Sequence, residues 1–146
     1  MSSDNVLGSS PEKVSNPIRR VELRSGKFLD VFENPRKDIR GYLVEWTSGE
    51  LTSLCPVTGH PDFCTLTVAY VPDEWCLELK SAKLYLEAFR NEGHFYEELI
   101  NQVYEDIGES LEPMDLRVMG EFNVRGGIGE VITIGEIGDA RLVVER

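Results

Sequence analysis

Apolar side chains recur at alternate positions through residues 41–71, at every third or fourth position through residues 81–107, and at alternate positions again from residue 115. A period of two lines one face of a strand, and a period near 3.6 lines one stripe of a helix. Residues 41–46 predict a strand with Leu43 and Trp46 toward the core. Residues 65–71 predict another, with Leu66, Val68 and Tyr70 on one face, stopped by Pro72-Asp73. Between them, residues 52–63 hold Pro56, Gly59 and Pro61 and read as turns. Residues 81–91 predict a helix with Leu84, Ala88 and Phe89 inward, interrupted by Gly93. Phe95, Leu99, Val103 and Ile107 then define a second, amphipathic helix that Pro113 closes. Leu116, Val118, Gly120, Phe122 and Val124 alternate with polar neighbours as a half-buried strand, Arg125-Gly126-Gly127 makes a turn, and residues 131–134 and 141–144 follow as short strands.

This order, strands then helices then strands, predicts an α+β fold: an antiparallel sheet of about four strands with two helices on one face. Residues 1–19 read as a flexible polar lead-in and residues 20–146 as one domain. A sheet that small leaves edges exposed, and subunit pairing is one way to cover them.

Composition narrows the function. A chain of 146 residues buries roughly 70% of its unfolded surface, enough for one core. With 15 basic against 26 acidic residues and a formal charge of −11, general affinity for nucleic acid or an anionic membrane is not expected. An anionic small molecule needs a local gathering of cations. There is no apolar run long enough for a transmembrane helix, and no apolar stretch of a secretory leader near the N-terminus. Cys55, Cys64 and Cys76 are odd in number and widely spaced, which argues against a disulfide framework and for a reducing cytoplasm.

Three stretches carry candidate chemistry. In Ser53-Leu-Cys-Pro-Val-Thr-Gly-His-Pro-Asp-Phe63 a cysteine stands on a turn seven residues before an aspartate. A thiolate is a nucleophile, and a neighbouring acid can protonate the atom that gains charge. The bland alternative is a buried Cys55 and a turn Asp62. Zinc held by Cys55, His60, Cys64 and Cys76 is a further alternative, although the spacing has no C-x₂-C knuckle. In Glu78-Leu-Lys-Ser-Ala-Lys-Leu-Tyr85, Lys80 and Lys83 fall at i, i+3 and Ser81 is a candidate helix cap, offering a hydroxyl and N–H groups to a phosphate. The alternative is a solvated helix face. In Arg90-Asn-Glu-Gly-His-Phe-Tyr-Glu97, Glu97 can accept paired hydrogen bonds from a guanine-like edge, or it is simply an acid favoured at a helix start. Tyr96 is a candidate packing or stacking residue. Gly126, Gly127 and Gly129 open no helix, so a dinucleotide-binding loop of the Rossmann kind is not supported.

In order and spacing, these three stretches together resemble the short, single-module QueF nitrile reductases, over roughly residues 40–130. The resemblance implies the tunnelling fold (T-fold), assembled into multi-subunit barrels with sites between subunits, a decamer being one candidate. It implies NADPH, used twice to reduce the nitrile of a 7-cyano-7-deazaguanine base to an aminomethyl group, a step of queuosine tRNA-modification biosynthesis with no direct nucleic-acid partner. Carried over by position, Cys55 forms a covalent thioimide and Asp62 donates the proton. Glu97, Tyr96 and Glu78 hold the base. Lys80, Ser81, Lys83 and Tyr85, with Arg125 and Gly126, serve the cofactor. Some members carry a histidine directly before the glutamate; here that position is Tyr96 and the nearest histidine is His94. Three rivals share the fold: an amidine-forming transferase acting on the same nitrile, a GTP cyclohydrolase-like zinc enzyme, and a non-catalytic purine- or pterin-binding protein.

Overall fold

Two antiparallel sheets and two helices make up the computed structural model, which describes residues 17–39 and 41–138. The larger sheet runs β3 (Val44–Leu54), β4 (Pro61–Val71), β6 (Asp115–Arg125) and β7 (Ile128–Glu136), in the order β3-β4-β6-β7. The smaller runs β1 (Ile18–Glu22), β2 (Phe28–Glu33) and β5 (Trp75–Leu77), in the order β1-β2-β5. Helices α1 (Leu79–Glu87) and α2 (Tyr96–Leu111) lie between β5 and β6 in sequence.

Alternation dictates the large sheet. Leu66, Val68 and Tyr70 on β4 and Leu116, Val118 and Phe122 on β6 are buried on one face, and Val68 and Val118 stand directly opposite. The intervening Thr65, Glu121 and Arg117 lie on the other face. Both helices cover the apolar face. α2 does so through Leu99, Ile100, Val103, Ile107 and Leu111, the stripe its period predicts. Glu97 and Glu98 occupy its first turn, where carboxylates meet the positive end of the helix dipole. At its far end Glu112 adopts a left-handed conformation, and Pro113 prevents continuation.

Gly120 lets α2 approach. A Cβ there would stand 2.8 Å from Ile100 Cγ1 and 3.2 Å from Cys64 Sγ. The helix therefore rests its Ile100 in a gap that any side chain at Gly120 would close.

Several expectations need correction. The small sheet is absent from the sequence reading; its strands are short, and β5 is only three residues long. β1 opens at Ile18, two residues before the expected domain start. β3 and β4 reach to Leu54 and Pro61, so the turn region is only residues 55–60. Leu43 is exposed and Trp46 half-buried. α1 starts at Leu79 with Glu78 as its cap: the Glu78 carboxylate accepts the N–H groups of Lys80 and Ser81 at 2.9 and 2.8 Å. Ser81 is not the cap. The inward face of α1 is Ser81, Ala82, Tyr85 and Leu86, while Leu84 and Ala88 face solvent. Phe95 is the exposed N-cap of α2 rather than part of its buried stripe. The strand expected at residues 141–144 lies outside the described residues.

Candidate active site

Cys55 leaves the end of β3 in a turn closed on itself. Its N–H donates to the His60 carbonyl and its own carbonyl accepts from Gly59 N–H, both at 2.8 Å. Gly59, with φ of +74°, takes the left-handed conformation the turn requires. On the other side of β3, Leu54 N–H donates to Glu92 O and Leu54 O accepts from His94 N–H, at 2.8 and 3.0 Å. This bridge draws the segment before α2 alongside the cysteine turn.

The result is a cavity of about 310 Å³ whose wall includes Cys55, Asp62, His94, Tyr96, Glu97 and Arg125. That is the size of a small-ligand pocket. The Cys55 thiol is held below its ordinary pKa, first by a hydrogen bond from the Thr58 side chain and then by the N–H groups of Thr58 and Val57. Partial burial and the negative charge of Asp62 work against this. Donors aimed at sulfur stabilise thiolate, the form that attacks. The Cys64 thiol, by contrast, is buried under α2 and pushed up to about 12 by desolvation, so it is an inert core group.

Asp62 is the second residue of β4, with its side chain 3% exposed, opposite Ser53 in the β3–β4 register. A buried carboxylate needs partners. Arg125 Nη1 lies 3.0 Å from Asp62 Oδ1, and Arg125 Nη2 donates to Pro61 O at 2.6 Å. Tyr96 donates to the same Oδ1 at 3.2 Å. Its ring stacks on Phe122 of β6 with centroids 3.7 Å apart, and burial followed by the Asp62 charge raises its phenol pKa. Tyr96 is thus a fixed wall, aimed at the carboxylate. His94 is held at both ring nitrogens by carboxylates, Nδ1 to Glu98 and Nε2 to Glu92, each at 2.9 Å. The fold also delivers a residue with no local motif: Glu130 of β7 lines the same cavity as Glu97, whose carboxyl raises its pKa.

A family model described as QueF-like protein matches residues 61–139, more than half of the chain. The chain belongs to the QueF-like family. A relative from Thermomicrobium roseum named NADPH-dependent 7-cyano-7-deazaguanine reductase is 49% identical over 107 residues, spanning 73% of this chain and 83% of the relative. Proteins of the same name from Chlorobaculum tepidum and Anaeromyxobacter sp. are 47% and 49% identical, spanning 74% and 72% of this chain and 92% and 85% of theirs. The crystal structure of the archaeosine synthase QueF-Like in the apo form superposes with a TM-score of 0.61 at 21% identity, covering 66% of this chain and 94% of that one. That likeness speaks for the fold: the α+β tunnelling fold expected from the sequence.

Of the residues that the resemblance to this family assigns, Cys55, Asp62, Tyr96, Glu97 and Arg125 meet in the one cavity. The Glu78–Tyr85 block does not join them; it lines other clefts beside α1. Within the block the side chains divide. Lys80 and Lys83 are exposed, and among the described residues neither makes an ion pair. Ser81 is buried: its hydroxyl accepts Asp30 N–H at 2.9 Å and donates to Glu78 O at 2.7 Å. Tyr85 is buried too, and its phenol donates to Asp106 of α2 at 2.6 Å. Glu78 is committed to capping α1, and the N–H groups expected to receive a phosphate are already satisfied. Arg125, expected at the cofactor, braces Asp62, with Gly126 in the turn that follows.

For a metal ion, the described residues contain no group of three His, Cys, Asp or Glu side chains close enough to share one. Cys64 is on β4 and Cys76 on β5, in different sheets, so the zinc set is not assembled. Cys76 instead sits against the Tyr42 hydroxyl, which also hydrogen-bonds Asn34. Among the described residues no helix is long and apolar enough to cross a membrane.

Proposed function

We propose that this chain is an NADPH-dependent 7-cyano-7-deazaguanine reductase. The observation that carries the reading is the meeting of an activated Cys55 thiol with an Arg125-braced Asp62 in a cavity that also presents Glu97. Relatives of that name, nearly half identical over most of their length, support it.

The chemistry follows from those atoms. Cys55 sulfur adds to the nitrile carbon while one C–N π bond becomes a lone pair on nitrogen. Asp62 stands in the ion pair as a carboxylate, so it takes the proton leaving Cys55 and passes it to that nitrogen. The product is a thioimide, with the thiol hydrogen moved to nitrogen and no change in oxidation state. Two NADPH molecules would each supply one hydride; with a proton for each, and with the C–S bond broken to return Cys55 as a free thiol, the adduct becomes a primary amine. Arg125 and Tyr96 keep the Asp62 carboxylate fixed between these transfers, and the Phe122 stack keeps Tyr96 in line. Glu97 accepts the N–H edge of the base.

The exposed ammonium groups of Lys80 and Lys83, in no ion pair among the described residues, fit the phosphates of the cofactor; Ser81 and Tyr85, turned inward, support the helix that presents them. Because these lysines and Cys55 face different cavities of one chain, the complete site draws the lysine face from a second copy, in a homo-oligomeric barrel. A reducing cytoplasm suits a reaction that needs Cys55 as a free thiol.

Intact-protein mass spectrometry tests this. Mixed with the nitrile base, the protein should gain one adduct mass, absent in Cys55→Ala. NADPH should discharge the adduct and release the aminomethyl base. An adduct released by ammonia but not by NADPH would replace this reading with the amidine-forming one; no adduct on folded, reduced protein would end it.

A further inference from the structure

Glu130 reaches the cavity by register alone. It stands opposite Phe122 across β6–β7, with a bulge between that pair and the Arg125 turn. Phe122 carries the Tyr96 ring, so Glu130 emerges beside the first turn of α2, against Glu97. The two carboxyl groups line the same wall of the cavity, and a hydrogen bond between them needs a shared proton. That hydrogen bond, followed by partial burial and the charge of Glu97, raises the pKa of Glu130. Two carboxylates in contact cannot both ionise freely. The other charged or titratable groups on this cavity are Cys55 from the turn, Asp62 from β4, Arg125 from β6, and His94 and Tyr96 ahead of Glu97. The cation, Arg125, is already bound to Asp62, and His94 to Glu92 and Glu98.

A carboxylate beside a carboxylic acid is an edge of acceptors ending in a donor. A guanine-like base presents the complement: an amino group and a ring N–H that donate, then a ring carbonyl that accepts. We propose that Glu130 is a second substrate-binding residue, donating its carboxyl proton to the ring carbonyl oxygen while Glu97 accepts the N–H and amino hydrogens. This rests on the reductase reading above and adds the means by which its site selects a 6-oxo base. A 6-amino base fails the arrangement, because it places a donor against a donor.

The linkage has a definite sign. Glu130 donates only while protonated, so affinity for the base is present below its raised pKa and is lost as pH rises through that value. Replacement by glutamine keeps a donor with no proton to lose.

The test compares the nitrile base with its analogue bearing hydrogen in place of the 6-oxo group, reading the concentration dependence of Cys55 adduct formation by mass spectrometry. For wild-type protein the analogue should bind about a hundredfold more weakly, because losing the 6-oxo group also removes the ring N–H that Glu97 accepts, two hydrogen bonds' worth. Glu130→Ala should weaken the 6-oxo base by about tenfold, one hydrogen bond's worth, and leave the analogue unchanged. Glu130→Gln should rescue binding of the 6-oxo base and flatten the decline of affinity with pH. Equal losses for base and analogue in Glu130→Ala, or no loss for either, would overturn the proposal while leaving adduct chemistry intact. Absence of any adduct in wild-type protein would instead overturn the reductase reading beneath it.

Discussion

The turn at Cys55 and the helix start at Glu78 are both dense in motif residues, yet the fold uses them in opposite ways. Around Cys55 the polar groups face a cavity: the thiol receives hydrogen bonds, and Asp62, Tyr96, Glu97 and Glu130 converge on open space. Around Glu78 most polar groups face the protein. The Glu78 carboxylate caps α1, the Ser81 hydroxyl ties α1 to β2, and the Tyr85 phenol ties α1 to α2. Only Lys80 and Lys83 look outward. A motif can thus be a set of reactants, or a brace built to present two of its members.

That contrast breaks most sharply at Asp62. Asp62→Asn keeps shape but cannot relay a proton, so kcat should fall by about 10²–10⁴-fold with little change in the cofactor Michaelis constant. Steady-state kinetics showing near-normal turnover would make Asp62 a brace as well. Next in size is Tyr85→Phe, which strips the buried Asp106 of its short phenol bond and leaves it the longer one from Gln102. Denaturant titration should show a loss of about 1–3 kcal/mol, with both Michaelis constants unmoved. Unchanged stability with a weakened cofactor constant would place that phenol among the reactants. The smallest effect belongs to the exposed lysines. Lys80→Ala and Lys83→Ala should each raise the NADPH Michaelis constant several-fold, and that for the base hardly at all, since a single exposed ion contact contributes only about 0.2–1 kcal/mol. Equal increases in both constants would remove the lysines from the cofactor.

How much of this was legible follows from the range of the forces involved. Cys55, Asp62, Tyr96 and Glu97 carry reactive groups in local motifs, and the structure brings them to one cavity. The stripe of α2 was legible because Leu99, Val103 and Ile107 repeat without interruption. α1 misled because its inward face includes the polar Ser81, which masks the period and made exposed Leu84 look buried. Ser81 was also mistaken for the cap, since an acid three residues upstream does the same work on the same orphan N–H groups. Glu130 carried no local signal. Its place depends on a hairpin register that the bulge between Phe122 and Arg125 shifts, and counting outward from the Arg125-Gly126-Gly127 turn without that bulge misplaces it. The small sheet escaped because β5 contributes three residues, too few to show a period.

The seat of Ile100 on Gly120 sets a length scale for recognition. Glu97 lies one helical turn before Ile100, so the depth of that seat decides how far Glu97 stands from the Cys55 turn. A methyl group added at Gly120 would press on Ile100 and Cys64, and any shift of α2 that it forced would carry Glu97 with it. The spacing of the cavity wall is therefore set in part from beneath the helix, at a position outside that wall.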